Sequence, residues 1–291
     1  MNHHLKKNIS LFLEINKIRI TFAVGITTIT GYVLYSHRFE AGMIYPTIGI
    51  FLLACGASVI NHIQERKYDA RMNRTMSRPL PSKRISLNHS IIIATAELLA
   101  GSVILYAFSG MVSLVLGWLA LIWYNGVYTV LKRYTARAVI PGSLIGAIPP
   151  LVGWVSAGGN LIDVRAAMMA LFFFVWQVPH FMLLALKFSD DYRNAGFPNL
   201  RNILSEYQIR KNIFLWILLT GLISTLLPVF DVVSSFISGA GIIISSMVLV
   251  ILFFRLLLRK IDDFQPEKYF KYINYYVLIM VILLCTDHFY Y

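Results

Sequence analysis

The chain has 291 residues, 57% of them hydrophobic and 14% charged, with a formal net charge of +12 and a mean hydropathy of +0.66. A soluble domain of this length needs far more polar surface, so most side chains must face lipid or other helices. The basic residues lie between apolar runs, a distribution that points to membrane topology rather than to nucleic acid, and two isolated cysteines, Cys55 and Cys285, argue against a disulfide framework or a CxxC metal site.

A bilayer core about 30 Å thick takes about 20 apolar residues per helix. That length predicts nine spans: 18–36, 41–60, 88–108, 110–131, 138–157, 165–186, 212–230, 233–254 and 272–290. The basic stretch before the first lacks a small-residue cleavage site, so the first run is read as a retained helix and not a signal peptide. Spans 3 and 4 almost touch at Ser109-Gly110, and spans 7 and 8 join near Pro228 to Asp231; both junctions read as tight outside turns. With the N-terminus inside, 24 of the 26 Lys and Arg fall in cytoplasmic segments. These include Lys6, Lys7, Lys17 and Arg19 before span 1, and Arg255, Arg259, Lys260, Lys268 and Lys271 before the last span; only Arg38 and Arg165 fall outside. The positive-inside rule therefore predicts a multi-pass protein of the cell's inner (plasma) membrane, N-in and C-out, with one transmembrane domain over residues 1–291. The aromatic end, His288 to Tyr291, reads as an outer interfacial belt. The long loops are cytoplasmic, and function is expected there.

Span 2 runs into the first polar constellation, NHIQERKYD. Asn61, Glu65 and Asp69 follow i, i+4, i+8 and share one helix face. Oxygen ligands in such a row suit Mg²⁺, which takes one or two carboxylates together with phosphate oxygens. Arg71, Arg74 and Arg78 follow at once, and a guanidinium fork matches phosphate geometry.

Span 4 carries Asn125, Tyr128 and Lys132 at i, i+3, i+7, so Lys132 is expected to reach a diphosphate on the face that Asn125 and Tyr128 share, while Arg133 and Arg137 read as inside anchors. In span 5, Gly142 and Gly146 form a small-xxx-small pattern for close helix approach, and Pro149-Pro150 is expected to kink the helix. Glu97 in span 3 is expected to make a packing hydrogen bond.

Span 6 leads into the second acidic cluster. Gln177, His180, Lys187 and Asp191 line one stripe of WQVPHFMLLALKFSDDYRNAG, with Asp190 beside them. Polar groups at the depth of Gln177 and His180 are costly unless they serve the bundle interior, and they mark function by default. Two acidic clusters with basic neighbours can hold Mg²⁺ on a diphosphate and stabilise its departure. The allylic cation left behind needs a dry, aromatic cavity.

At these residues the chain resembles the UbiA superfamily of intramembrane prenyltransferases and, within it, the protoheme IX farnesyltransferase branch. A family stretch NxxxDxxxD followed by MxRTxxRPL is matched by Asn61, Glu65, Asp69, Met72, Arg74, Thr75, Arg78, Pro79 and Leu80. A second is matched by Tyr128, Thr129, Leu131, Lys132, Arg133, Thr135, Gly146, Ala147, Pro149, Pro150, Leu151, Gly153 and Trp154, and a third runs from Trp176 to Pro198. Glu65 stands where the family usually has Asp, Val178 where Pro is common, Asn199 where Met is usual, and Ala138 where Asn is frequent.

The resemblance implies an all-α fold, nine transmembrane helices around a central cavity. It implies farnesyl diphosphate and protohaem IX as substrates and Mg²⁺ as cofactor. Asn61, Glu65, Asp69, Asp190 and Asp191 would then position metal and diphosphate. Arg74, Arg78, Lys132 and Lys187 would neutralise the leaving group, and Gln177 and His180 would orient the acceptor, with His180 a ligand for haem iron. An aromatic or quinone-precursor acceptor stays open as an alternative. A transporter fits less well, because its acids belong at the membrane midplane and here they sit at helix ends.

Overall fold

The structure is a computed structural model that describes residues 3–258 and 264–290. Of the residues named above, Arg259, Lys260 and Tyr291 lie outside the described residues, as does the side chain of Lys7. Among the described residues every regular element is helical. Within a bilayer, helices satisfy each backbone N–H and C=O internally, which suits a chain this apolar.

A short helix α1 (His3–Ile15) precedes α2 (Ile18–Ser36) and α3 (Ile44–Asp69). Helix α4 (Leu87–Ile122) continues through a π-helical segment, Trp123–Tyr128, to Leu131. After one turn at Val139–Gly142 come α5 (Leu144–Ser156), α6 (Val164–Lys187), the short α7 (Ser189–Asn194), α8 (Glu206–Leu226), α9 (Phe236–Leu258) and α10 (Pro266–Thr286). The starts are capped as polar flanks dictate: Ser86 accepts from the His89 N–H, Asp163 from Arg165, and Ser205 forms a reciprocal box with Gln208.

Among the described residues, eight helices are long and apolar enough to cross a membrane. The expected nine follow when the longest, Leu87–Leu131, is taken as two arms: Gly110 breaks it with φ 83° and ψ 171°, as the Ser109-Gly110 junction predicts. Trp118 Nε1 donates to Ser102 Oγ at 3.1 Å across this turn, so the arms lie side by side. Helix α3 outlasts its apolar run and carries its last three turns, with Asn61, Glu65 and Asp69, into the polar end.

Around the bundle, α2 packs on α3, α3 along α4, α4 on α5, α5 on α6, α6 on α8, α8 on α9, α9 on α10, and α10 returns to α2. Cys285 Sγ lies 3.5 Å from Thr30 Oγ1 at that closing seam. The main core joins α6, α8, α9 and α10 through Phe172, Ile213, Phe253 and Ile273; a smaller one joins α3, α4 and α5 through Leu53, Leu105 and Val152. Outward-facing positions such as Ile20, Phe22, Leu99, Val103, Ile244 and Ile251 are exposed and apolar, which is a lipid-facing surface.

The close backbone approach is not where the Gly142/Gly146 pattern places it. A Cβ on Gly31 would run into the Pro150 carbonyl oxygen, and one on Gly153 into that of Thr28, so α2 and α5 cross almost backbone to backbone. Gly142 and Gly146 instead make room for side chains, the Tyr128 ring and the Gln177 amide. Glu97 is buried beside Asn16.

Candidate active site

The face of α3 predicted from the i, i+4, i+8 spacing is real, and all three of its polar residues are buried. Each is held by a cation from a different part of the chain. Lys17 Nζ donates to Asn61 Oδ1 at 2.6 Å. Lys132 Nζ forms an ion pair with Glu65 Oε1 at 2.6 Å. Arg78 Nη1 reaches both oxygens of Asp69, at 3.0 and 2.9 Å. Asn61 also donates to Thr129 Oγ1 at 3.1 Å, which ties α3 to the end of α4.

The loop after α3 folds back because its own side chains satisfy it. Thr75 Oγ1 donates to the Asp69 carbonyl at 3.0 Å, and the Arg78–Asp69 fork closes the turn. Met72 packs with Ala195 and Phe197, so the loop lies on the segment that follows α7. There the two acidic motifs meet. The backbone N–H of Asn73 donates to Asp191 Oδ1 at 3.0 Å, and Arg74 Nε lies 4.0 Å from Asp191 Oδ2. The Arg74 guanidinium sits 4.3 Å from the centre of the Phe188 ring.

The π-helical segment places the third contributor. A π turn inserts one extra residue into an α-helix, often at a functional site. Here it turns Asn125 toward α3, where Nδ2 donates to the Ala57 carbonyl at 3.0 Å and to Gln64 Oε1 at 3.3 Å. Tyr128 faces the other way and stacks on Tyr124 and Phe181, with ring centres 6.0 and 5.7 Å apart. The common face expected from an i, i+3, i+7 spacing is therefore broken: Asn125 fastens α4 to α3, while Tyr128 and Lys132 face the site. Lys132 Nζ lies 5.4 and 5.9 Å from the Tyr128 and Phe197 ring centres. On its far side a cleft of about 530 Å³, its open mouth included, is lined by Tyr128, Phe181, Leu184, Tyr192 and Phe197.

The charges feel one another. Burial pushes the Lys17 ammonium down to about 7, helped by the neighbouring Arg78 cation. Burial and then Arg78 also lower Arg74. Burial works against charge on Lys132 too, but the Glu65 carboxylate more than offsets it and the group is raised.

Two predicted residues are not brought to this cluster. Asp190 points outward, its side chain 79% exposed, and pairs with Arg193. Lys187 turns to Glu267 at the start of α10, 3.3 Å away. The acceptor-side residues stand apart as well. His180 lies among the rings of Trp176, Phe181 and Phe270, with centres 4.9, 5.8 and 4.9 Å away, and Gln177 packs against Gly146. Nor do Asn61, Glu65, Asp69, Asp190 and Asp191 form a ready metal cage. Among the described residues no three His, Cys, Asp or Glu side chains converge on one point, because each buried carboxylate is already drawn to its own cation. The donor chemistry nonetheless fits a hard divalent ion: Asn61, Glu65, Asp69 and Asp191 offer only oxygens. Sequence reasoning missed Lys17, which passes for an inside anchor two residues before the interior-facing Arg19; its only signal was that it directly precedes a span.

Residues 21–279 match the UbiA prenyltransferase family. The chain is 36% identical over 218 residues to the protoheme IX farnesyltransferase of Oleidesulfovibrio alaskensis, covering 75% of this chain and 77% of that one. It is 31% identical over 287 residues to protoheme IX farnesyltransferase 1 of Pseudomonas fluorescens, covering 96% and 93%. A solved UbiA homologue from Archaeoglobus fulgidus bound to GPP and Mg²⁺ shares the fold, with a TM-score of 0.72 over 96% of this chain and 98% of that one, at 11% identity.

Proposed function

The chain belongs to the UbiA prenyltransferase family, and from that premise we propose that it transfers the farnesyl group of farnesyl diphosphate to a vinyl group of protohaem IX, giving haem O. The observation that carries this reading is the junction of two acidic motifs at one place, with Asp191 bonded to the Asn73 backbone and beside Arg74. A diphosphate lying across that junction meets Arg74, Arg78, Lys132 and Lys17 together.

Asn61, Glu65, Asp69 and Asp191 are the residues that would hold Mg²⁺. Bound there, the metal would supply positive charge to the diphosphate oxygens. Arg74 and Arg78 offer guanidinium forks, and Lys132 and Lys17 point charges, to the leaving group as its charge grows. The C–O bond at farnesyl C1 breaks with its electron pair on the diphosphate. A vinyl carbon of the porphyrin bonds to C1, and water adds to the cation so formed and loses a proton. The aromatic walls beside Lys132, from Tyr128, Phe181 and Phe197, keep stray water from the first cation and offer it their ring faces. His180 and Gln177 orient the acceptor from deeper in α6.

Helices of this length and apolarity make a multi-pass membrane protein. We place it as one domain in the cell's inner (plasma) membrane, N-terminus in the cytoplasm and C-terminus outside, on the sorting of its Lys and Arg. The test of the reaction is an assay of membranes holding the protein with farnesyl diphosphate, Mg²⁺ and haem. Mass spectrometry should find haem farnesylated and hydrated. Farnesylation of an added aromatic acid with haem untouched would move the reading to the aromatic-acceptor branch.

A further inference from the structure

Every oxygen ligand assigned to the metal is already held by a cation of the protein itself. Lys17 holds Asn61, Lys132 holds Glu65, Arg78 holds Asp69, and Arg74 flanks Asp191. Four cations therefore stand against three carboxylates and one neutral amide, and Asn61, Glu65 and Asp69 are buried. Lys17 is fixed where it is by the chain: it forms the junction of α1 and α2 with a left-handed backbone, φ 46° and ψ 47°.

That arrangement treats the two halves of a metal diphosphate differently from the whole. A divalent ion arriving alone must displace four cations that have no other anion to turn to, and it adds charge to a site already in positive excess, where burial strengthens repulsion. A diphosphate arriving alone meets three carboxylates and finds the cations engaged. When both arrive, partners exchange: the metal takes the oxygens of Asn61, Glu65, Asp69 and Asp191, and the released lysines and arginines turn to phosphate oxygens.

We propose that Lys17, Lys132, Arg78 and Arg74 are placeholder cations that make metal and diphosphate binding mutually dependent, with Lys17 a positioning residue for the Asn61 ligand. This rests on the site reading above. Coupling of this kind is reciprocal, so each ligand strengthens the other by the same factor.

The test is equilibrium dialysis of Mn²⁺ and of inorganic pyrophosphate against the full chain in lipid vesicles, separately and together, corrected for the complex they form in solution. Each should bind roughly tenfold or more tightly when the other is present. Lys17→Met should shrink that ratio by letting Mn²⁺ bind alone more tightly, and Lys17→Arg should preserve it. If Lys17→Met does not fold, Lys132→Gln serves, with the same expected direction. Equal retention of Mn²⁺ with and without pyrophosphate overturns the coupling and leaves the site reading standing. Retention of neither ligand under any condition overturns the site reading, and the coupling with it.

Discussion

The Asn73 backbone N–H and the Asp191 carboxylate meet at 3.0 Å across 118 residues of chain. This bond closes the loop after α3 onto the helix after α6 and makes one site of two motifs. A carboxylate that accepts a backbone N–H and sits beside a guanidinium is oriented as well as charged.

Asp191→Asn keeps an acceptor for Asn73 and removes the charge. We expect kcat/KM for haem farnesylation to fall by about 100-fold or more, the range for losing one charge-stabilising group. Asp190→Asn is the matched control. Its carboxylate is exposed and pairs only with Arg193 three residues on, so activity should stay within a few-fold. Equal losses in the two variants would contradict the placement.

Arg78 and Asp69 form a buried fork, the Asp69 side chain only 3% exposed. Arg78→Gln leaves that carboxylate uncompensated, at a cost of roughly 3–5 kcal/mol to stability. A melt in detergent should show a clear drop. Mg²⁺ with pyrophosphate should restore part of it, because a metal on Asp69 replaces the lost charge. No drop at all would mean that the fork contributes nothing to the folded state.

How far such a site is legible depends on which interactions are local. The span 18–36 coincides with α2 because 20 apolar residues announce a crossing helix without reference to anything else. The Asn61, Glu65, Asp69 face is legible for the same reason, since helix periodicity is local. Lys187 is not: its partner, Glu267, lies on a helix 80 positions later, and nothing near either residue signals the other. Lys17 escapes notice because anchor and ligand lysines look alike until Asn61 is seen within 2.6 Å. The α2–α5 crossing escapes likewise, since a glycine that meets a backbone and one that meets a ring carry the same letter.

That crossing makes its own prediction. Gly31→Ala forces a methyl group onto the Pro150 carbonyl, which lies in a helix backbone and cannot swing aside. Overpacking of this kind costs about 1–3 kcal/mol, and the rigid partner puts Gly31 at the upper end. Gly126→Ala should be close to neutral, because its Cβ would meet only Ile122 at 4.0 Å. Thermal melts of the two variants in the same detergent decide the matter; similar melting temperatures would argue against the close approach.

The π-helical segment offers the sharpest separation of folding from chemistry. Removing one residue from a π turn returns it to an α-helix and rotates everything beyond it by about 100° relative to what precedes it. Gly126 is exposed and lies inside Trp123–Tyr128, so its deletion should be tolerated by the surrounding packing. Asn125, before the deletion, keeps its bond to the Ala57 carbonyl. Tyr128 and Lys132, after it, swing away from Phe181 and Glu65. Glu65 then loses its cation and the diphosphate one of its contacts. The expected result is a protein that still reaches the membrane and melts within a few degrees of the parent, yet farnesylates haem at least about 100-fold more slowly and retains less pyrophosphate with Mn²⁺. If the deletion variant stays fully active, the π turn does not set the position of Lys132, and its place beside Glu65 must be held by the loop that follows.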